Sequence, residues 1–158
     1  KFNSPNITAN PAVVFDVDET ALTNYEIIHA SDFGYVREIW NSWVAQSTGP
    51  ANKPVKRLYD YFVKKEIKII FLTGRTEEKY EATFKNLINA GYTKFDTLVV
   101  LSKEYSKLGS AEFKSDIRKK FTEKGYNIIA TVGDQYPDIN GANTGLKIKI
   151  PNYLYLVE

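Results

Sequence analysis

The sequence predicts an α/β fold: a three-layer, Rossmann-like and mainly parallel sheet with helices on both faces and a small cap inserted after the first strand. Short, almost continuously apolar segments of strand length recur along the 158 residues, and amphipathic segments of helical period lie between them. This alternation is typical of a parallel sheet covered on both faces. A chain of this length fits one domain, so we expect residues 1–158 to fold as a unit.

The predicted strands are short runs of apolar and β-branched residues. The first, residues 12–15, reads AVVF, and the second, residues 67–72, reads IKIIFL. Runs of this kind, bounded by turn residues, are typical of strands buried on both faces. Further strands are predicted at residues 97–101, 127–132 and 146–150, and residues 154–157 are a last short candidate.

The predicted helices are amphipathic and carry terminal signals. Pro54 suits the first turn of one helix, because its missing N–H would have no partner there. Gly91 and Gly125 follow the last turns of two others, where a left-handed residue commonly ends a helix. The predicted helices cover residues 54–65, 76–90 and 110–124.

Residues 21–53 separate the first strand from the first regular helix, whereas such loops usually have about 2–6 residues. The segment is rich in aromatic side chains and contains the single histidine of the chain. We therefore interpret it as a small, partly helical, cap-like insert. Trp40 and Trp43 have helical spacing within IWNSWV, and we expect both in the core.

The composition excludes several classes of function. Cysteine is absent, which excludes disulfides, thiolate catalysis and cysteine-bound metals. The formal net charge is +2 with the lysines spread along the chain, so we expect no nucleic-acid partner. No apolar stretch approaches the roughly 18 residues needed to span a bilayer. The first residue is not methionine, which leads us to expect a trimmed N-terminus.

Polar motifs follow three of the predicted strands. DVDET (16–20) follows the first strand, TGR (73–75) the second, and GDQYPD (133–138) the fourth. FKSDIR (113–118) lies in the helix before the fourth strand. Because ligands of parallel α/β sheets bind beyond the carboxyl ends of the strands, we expect these motifs to meet at one edge.

The residue types in these motifs point to phosphate chemistry. Asp16, Asp18 and Asp134 would place like charges in one site, which is unfavourable unless a positive group neutralises them. A hard divalent cation with oxygen ligands does so, and Mg²⁺ is the natural candidate, with Lys114 as a further positive charge. Thr73 offers a hydroxyl, and the backbone beside it offers N–H donors for phosphate oxygens.

These groups are the parts needed for phosphoryl transfer. A carboxylate can attack phosphorus in line and form an aspartyl-phosphate. A cation, a lysine and amide or hydroxyl donors can stabilise the charged transition state. A second carboxyl group can protonate the leaving oxygen and then activate water.

With these motifs in this order, the chain resembles the haloacid dehalogenase-like hydrolases. Within them it is most similar to acid phosphatases of the class B type, a group that takes in plant acid phosphatases, vegetative storage proteins and bacterial lipoprotein acid phosphatases. The resemblance runs from about residue 12 to 157 and rests on FDVDETALTN, WNSWV, FLTGR, FKSDIR and VGDQYPDI. It implies an Mg²⁺-dependent acid phosphatase that hydrolyses small phosphate monoesters, with an acidic pH optimum.

The resemblance also implies individual roles. Asp16 is the nucleophile and Asp18 the general acid and base. Thr73 and Lys114 are catalytic residues that, with Gly74, hold the phosphoryl group.

Metal binding and substrate contact involve further positions. Asp16 and Asp134 ligate Mg²⁺, and Asp18 contributes its backbone carbonyl. Asp138 supports the metal's water molecules or Lys114. His29 lies in the insert that should overhang the site, and we consider it as a substrate-binding residue as well as a structural one.

Several alternatives stay open at this stage. Lys103 or Lys107 could take the place of Lys114, and Arg75 could be an ion-pair partner or a catalytic group. A non-catalytic storage or binding protein on the same scaffold and a phosphotransferase to alcohol acceptors are the alternative functions. Family habit and the missing methionine favour a secreted or periplasmic protein, and a homo-oligomer is compatible with the sequence.

Overall fold

The computed structural model describes residues 9–157 of the chain. The strands are β1 (Pro11–Phe15), β2 (Lys68–Thr76), β3 (Thr97–Leu101), β4 (Asn127–Gly133) and β5 (Leu146–Lys149). The helices are α1 (Tyr25–Ala30), α2 (Arg37–Gln46), α3 (Lys53–Lys64), α4 (Tyr80–Asn89), α5 (Ser110–Glu123) and α6 (Tyr136–Ile139). The strands form one sheet in the order β3-β2-β1-β4-β5, and every neighbouring pair is parallel.

The central strand β1 shows why the sheet is covered on both faces. Successive side chains of a strand point to opposite faces, and all of them are apolar here. Val13 and Phe15 pack on one face with side chains from α3 and α4. Ala12 and Val14 pack on the other face with Phe113 of α5. The predicted parallel α/β sheet with helices on both faces is therefore confirmed.

The segment between β1 and α3 contains α1 and α2 and is anchored to α4 by side-chain hydrogen bonds. The hydroxyl of Ser47 donates to the carbonyl of Ala82 at 2.9 Å. The Asn86 side chain donates to the Gly49 carbonyl at 2.7 Å and accepts from the Gly49 N–H at 3.1 Å. These bonds hold the end of α2 and the chain after it against the main body of the fold.

Two predicted elements differ from the structure at their ends. The second strand was expected to end at Leu72, but β2 continues to Thr76 because Thr76 pairs with Leu101 after a shift of register. The following helix was expected to begin at Thr76. It opens instead with a 3₁₀ turn, Glu77–Lys79, and becomes α-helical at Tyr80.

The strand expected at residues 154–157 is wrong. Residues 150–157 form an irregular segment beside the carboxyl ends of β1 and β4. The N–H of Ile150 still donates to the Gly133 carbonyl of β4 at 2.8 Å. Beyond it, side chains accept the backbone N–H groups of Leu154 and Val157: Leu154 donates to Asn152 Oδ1 at 2.7 Å, and Val157 donates to Gln135 Oε1 at 2.9 Å. Across residues 9–157, none of the helices combines the length and the apolar character that crossing a bilayer requires.

Candidate active site

The predicted motifs converge on one cavity at the carboxyl edge of the sheet. Asp16 follows β1, Thr73 lies in the last part of β2, Asp134 follows β4, and Lys114 projects from α5. With Asp18, Gly74 and Asp138 they line a space of about 300 Å³, which we call the acidic cavity. The parallel strand order explains the convergence, because equivalent ends of neighbouring strands lie side by side.

Lys114 lies between two carboxylates in this cavity. Its Nζ is 2.6 Å from Asp16 Oδ1 and 2.5 Å from Asp138 Oδ1. All three residues are buried. The two other candidate lysines, Lys103 and Lys107, are exposed and do not line the cavity. The structure therefore places Lys114, and neither alternative, beside Asp16.

The charges in the acidic cavity are not balanced by Lys114 alone. Burial and the neighbouring carboxylate of Asp138 raise the pKa of Asp16 well above its ordinary value, although Lys114 acts in the opposite direction. Burial opposes the charge of Lys114, but Asp16 and Asp138 beside it raise its pKa. Lys114 is therefore held as a cation in a site with an excess of carboxylates, and a further positive charge would relieve their repulsion.

Asp134 accepts three hydrogen bonds from side chains. Thr20 Oγ1 donates to Oδ1 at 2.9 Å, while Gln135 Nε2 and Asn152 Nδ2 donate to Oδ2 at 2.6 and 2.7 Å. Asp134 itself is buried. Its carboxylate is therefore fixed in orientation before any ligand binds.

The carboxylates of Asp16, Asp134 and Asp138 fit a metal ion. Each offers one oxygen, and these oxygens lie within 4.8 Å of one another at buried positions. An all-oxygen, anionic donor set suits a hard divalent cation. Asp138 is thus one of the three carboxylates that could hold the metal. The resemblance implied instead that Asp138 supports the metal's water molecules or Lys114. The side chain of Asp18 is not in this cluster.

Thr73 and Gly74 line the acidic cavity together with the carboxylates of the metal cluster. Thr73 is fully buried and its Oγ1 accepts the N–H of Arg75 at 3.1 Å. A Cβ at Gly74 would meet no atom within 4 Å, so the backbone here borders open space. Backbone N–H groups and a hydroxyl in this position are suitable donors for phosphate oxygens.

Asp18 is held by a buried arginine. Arg75 Nη2 lies 2.7 Å from Asp18 Oδ1 and Nε lies 3.0 Å from Oδ2, and Asn24 Nδ2 donates to Oδ1 at 2.8 Å. Burial opposes the charge of Arg75, but the carboxylate of Asp18 raises the pKa of the guanidinium. Of the two roles considered for Arg75, the geometry shows the ion pair.

A further buried carboxylate, Glu19, follows Asp18 in the chain. It accepts the backbone N–H of Asn24 at 2.6 Å and the hydroxyl of Tyr155 at 2.7 Å. Burial and the nearby Asp18 raise the pKa of Glu19 to about 7. Asn24, at the start of the insert, extends the network to helix α2, since its Oδ1 accepts from Trp43 Nε1 at 2.8 Å.

A larger cavity, of about 550 Å³, adjoins the acidic cavity and shares Asp18, Gly74, Tyr155 and Val157 with it. We call it the aromatic cavity, because Phe33, Tyr35 and Trp40 of the insert also line it.

Two residues of the insert lie elsewhere than expected. Trp43 is buried as predicted, but Trp40 is a partly exposed wall of the aromatic cavity and not a core residue. His29 is exposed and stacks against Tyr25, with ring centroids 5.6 Å apart. The structure does not place His29 in the lining of either cavity.

Sequence reasoning missed the residues that orient the carboxylates. Thr20, Asn24 and Gln135 sit inside the recognised motifs, so their place in those motifs was an available signal. Asn152 and Tyr155 carry no such signal. Asn152 is 18 residues from Asp134, in a stretch without motif or period.

Comparison with known proteins identifies the family of the chain. The family model of the HAD superfamily, subfamily IIIB (acid phosphatase), matches residues 2–158. The chain belongs to this family. The resemblance drawn from the motifs is therefore confirmed.

Relatives within the acid phosphatase family include both enzymes and proteins named for storage. The chain is 32% identical to acid phosphatase 1 of Solanum lycopersicum over 150 residues, which cover 91% of this chain and 58% of that protein. It is 35% identical to the stem 28 kDa glycoprotein of Glycine max, covering 92% of this chain and 59% of the relative. It is 33% identical to vegetative storage protein 2 of Arabidopsis thaliana, with 91% and 56% covered. The chain thus spans less than two thirds of the length of these relatives.

A solved structure supports the fold. The class C acid phosphatase from Bacillus anthracis superposes with a TM-score of 0.76 at 22% identity, covering 93% of this chain and 68% of that one. At this identity the similarity shows the fold alone.

Proposed function

We propose that the protein is an Mg²⁺-dependent acid phosphatase that hydrolyses phosphate monoesters through an aspartyl-phosphate at Asp16. The observation that carries this proposal is the placement of Asp16 Oδ1 at 2.6 Å from Lys114 Nζ, among the carboxylates of Asp134 and Asp138. A nucleophilic carboxylate, a fixed cation and a set of metal-type ligands meet there in one cavity.

In the first half of the reaction, an oxygen of Asp16 attacks phosphorus and the bond from phosphorus to the leaving oxygen breaks. Asp18, once it has taken up a proton from solvent, gives that proton to the leaving oxygen, so that an alcohol departs. Lys114, the Thr73 hydroxyl and the N–H of Gly74 offset the charge on the phosphoryl oxygens.

In the second half, water attacks the phosphorus of the aspartyl-phosphate while Asp18 accepts its proton. The bond between phosphorus and Asp16 breaks, which releases inorganic phosphate and restores both carboxyl groups. A divalent cation held by Asp16, Asp134 and Asp138 would supply Lewis-acid stabilisation of the phosphoryl charge. Asp134 is oriented for this by Thr20 and two amides.

The storage proteins among the relatives are the reason to weigh a non-catalytic role. The complete set of Asp16, Asp18, Thr73, Lys114 and Asp134 in one cavity favours the enzyme, because a storage role needs none of these side chains in place.

The test is hydrolysis of p-nitrophenyl phosphate after EDTA treatment, with and without added Mg²⁺, from acidic to neutral pH. Turnover that EDTA removes and Mg²⁺ restores is the expected result. Turnover that is unchanged by EDTA would contradict the metal dependence. No turnover with this ester or with a panel of nucleotide and sugar phosphates would favour the storage role.

A further inference from the structure

The irregular segment of residues 151–157, which we call the strap, lies against the site. Tyr155 and Val157 line both the acidic and the aromatic cavity. The Gln135 side chain binds the strap at two places, donating to the Tyr155 carbonyl at 3.3 Å and accepting from the Val157 N–H at 2.9 Å. The Tyr155 hydroxyl donates to Glu19 at 2.7 Å. The strap is thus fixed to residues that flank the carboxylates.

Asn152 is the strap residue that contacts a candidate metal ligand directly. Its Nδ2 lies 2.7 Å from Asp134 Oδ2. Its Oδ1 accepts the N–H of Leu154 at 2.7 Å. Because the two ends of the amide have different partners, the side chain is locked with its donor toward Asp134.

The hydrogen bonds of Asp134 leave few positions for a metal. A carboxylate has about four lone-pair positions. Thr20 takes one on Oδ1, while Gln135 and Asn152 take two on Oδ2. One position on Oδ1 remains, so Asp134 can offer a single oxygen in a fixed direction.

We infer that Asn152 is a positioning residue of the metal site: it saturates Asp134 Oδ2 from the strap and thereby fixes Oδ1 for the cation. This inference rests on the proposed function only in assuming that the three carboxylates hold a divalent cation. Loss of a residue that orients a ligand typically weakens metal binding by about 10- to 100-fold. Since Thr20 and Gln135 remain in place, we expect about 10-fold for Asn152.

The experiment uses the EDTA-treated full chain and measures binding of Mn²⁺, as a probe of the site, by electron paramagnetic resonance of the free ion. Asn152→Ala removes both contacts of the amide. Asn152→Ser leaves a hydroxyl that can accept the Leu154 N–H, as serine does in local turns, but is too short to reach Asp134. Tyr153→Ala, at a neighbouring position that is 93% exposed, is the matched control.

The expected result is about 10-fold weaker Mn²⁺ binding in both Asn152 variants and unchanged binding in Tyr153→Ala. Equal affinity in Asn152→Ala and the wild type would overturn the inference. Weak binding in Asn152→Ala with normal binding in Asn152→Ser would also overturn it, because the turn at Leu154 would then be the cause. Thermal unfolding of each metal-free variant verifies that it is folded.

These outcomes separate the inference from the proposed function. A wild type that binds Mn²⁺ but hydrolyses no ester would contradict the proposed function, and the comparison of the Asn152 variants would still decide the inference. A wild type that hydrolyses esters but binds no Mn²⁺ would overturn the inference and the metal dependence, and leave the aspartyl-phosphate route to be judged by the Asp16 variant.

Discussion

The guanidinium of Arg75 is paired with both carboxylate oxygens of Asp18, and the arginine is only 5% exposed. The two residues come from different strand ends, 57 positions apart in the chain. The central carbon of the guanidinium lies 5.7 Å from the centroid of the Trp40 ring, at the wall of the aromatic cavity. Arg75 therefore fixes the proposed acid and base between the two cavities.

Arg75→Ala should reduce kcat because it leaves Asp18 free to turn away from the leaving oxygen. We expect about a 100-fold loss with an alkyl phosphate, the size typical of a catalytic group misplaced by about 1 Å. Arg75→Lys keeps the charge but not the two-pronged geometry, so its kcat should lie between those of the wild type and of Arg75→Ala. Steady-state kinetics measures both, with Arg57→Ala at an exposed position as the control. A normal kcat in Arg75→Ala would show that Asp18 is oriented without the arginine.

Asp18→Asn should slow the departure of poor leaving groups most. An alkoxide needs a proton from Asp18 as it leaves, whereas p-nitrophenolate departs readily without one. We expect a loss of about 100-fold or more in kcat/KM for an alkyl phosphate and a much smaller loss for p-nitrophenyl phosphate. Equal losses for the two esters would count against the acid role of Asp18.

Asp16→Asn should abolish turnover, since an amide oxygen is a far weaker nucleophile than a carboxylate. The amide remains within reach of Lys114, so the variant should stay folded. Rapid acid quench with a ³²P-labelled ester should trap a phosphorylated protein in the wild type and none in Asp16→Asn. Most of the wild-type activity in the variant would mean that the nucleophile is a different group.

The sequence predicted the fold well where local pattern and burial agree. The run from Ala12 to Phe15 is apolar at every position because both sheet faces are covered, and it was recognised for that reason. The strand expected at residues 154–157 does not form, because the side chains that suggested it line cavities instead of packing in a sheet. Tyr155 and Val157 are walls of cavities and not members of a sheet.

The candidate site was predictable to the extent that its residues sit at strand ends. Asp16 and Asp134 follow adjacent strands, so their proximity follows from the topology. The contacts of Asn152 with Asp134 and of Tyr155 with Glu19 depend on the path of an irregular segment, which no periodicity encodes. His29 was considered because the insert was expected to overhang the site. Other residues of the insert do line the aromatic cavity, but His29 is exposed and lines neither cavity.

The effect of Glu19→Gln on the free energy of unfolding of the metal-free protein should be more favourable at neutral pH than at acidic pH. In the folded wild type burial raises the pKa of Glu19 from 4.5 to about 7. Between these values the folded state holds a proton that the unfolded state has lost, so this residue's contribution to stability falls as the pH rises. A glutamine at this position does not ionise, so the stability of the variant does not fall for this reason as the pH rises.

Urea unfolding in EDTA at pH 5 and pH 8 measures the effect of Glu19→Gln. The free energy of unfolding of the variant, relative to that of the wild type, should rise by up to about 3 kcal/mol from pH 5 to pH 8. Glu104→Gln, at an exposed position, controls for the loss of one negative charge. A difference that is the same at both pH values would mean that Glu19 ionises in the folded protein as it does in the unfolded chain.

Gly133→Ala should damage the metal site through a steric contact. A Cβ at position 133 would lie 2.2 Å from Asp138 Cβ and 2.7 Å from its Oδ2. Asp138 would have to move, and it would then lose the hydrogen bond that its Oδ2 accepts from the Gln135 N–H at 2.7 Å. Overpacking of this kind typically lowers the free energy of unfolding by about 1–3 kcal/mol.

Gly109→Ala is the matched control, because a Cβ there meets no atom within 4 Å and φ is −65°. We expect its unfolding free energy to change by less than about 1 kcal/mol. Displacement of Asp138 also removes its Oδ1 from Lys114, so Gly133→Ala should bind Mn²⁺ more weakly while the control binds normally. If the two alanine variants had equal stability and equal Mn²⁺ affinity, the close approach of Asp138 to position 133 would not constrain the site.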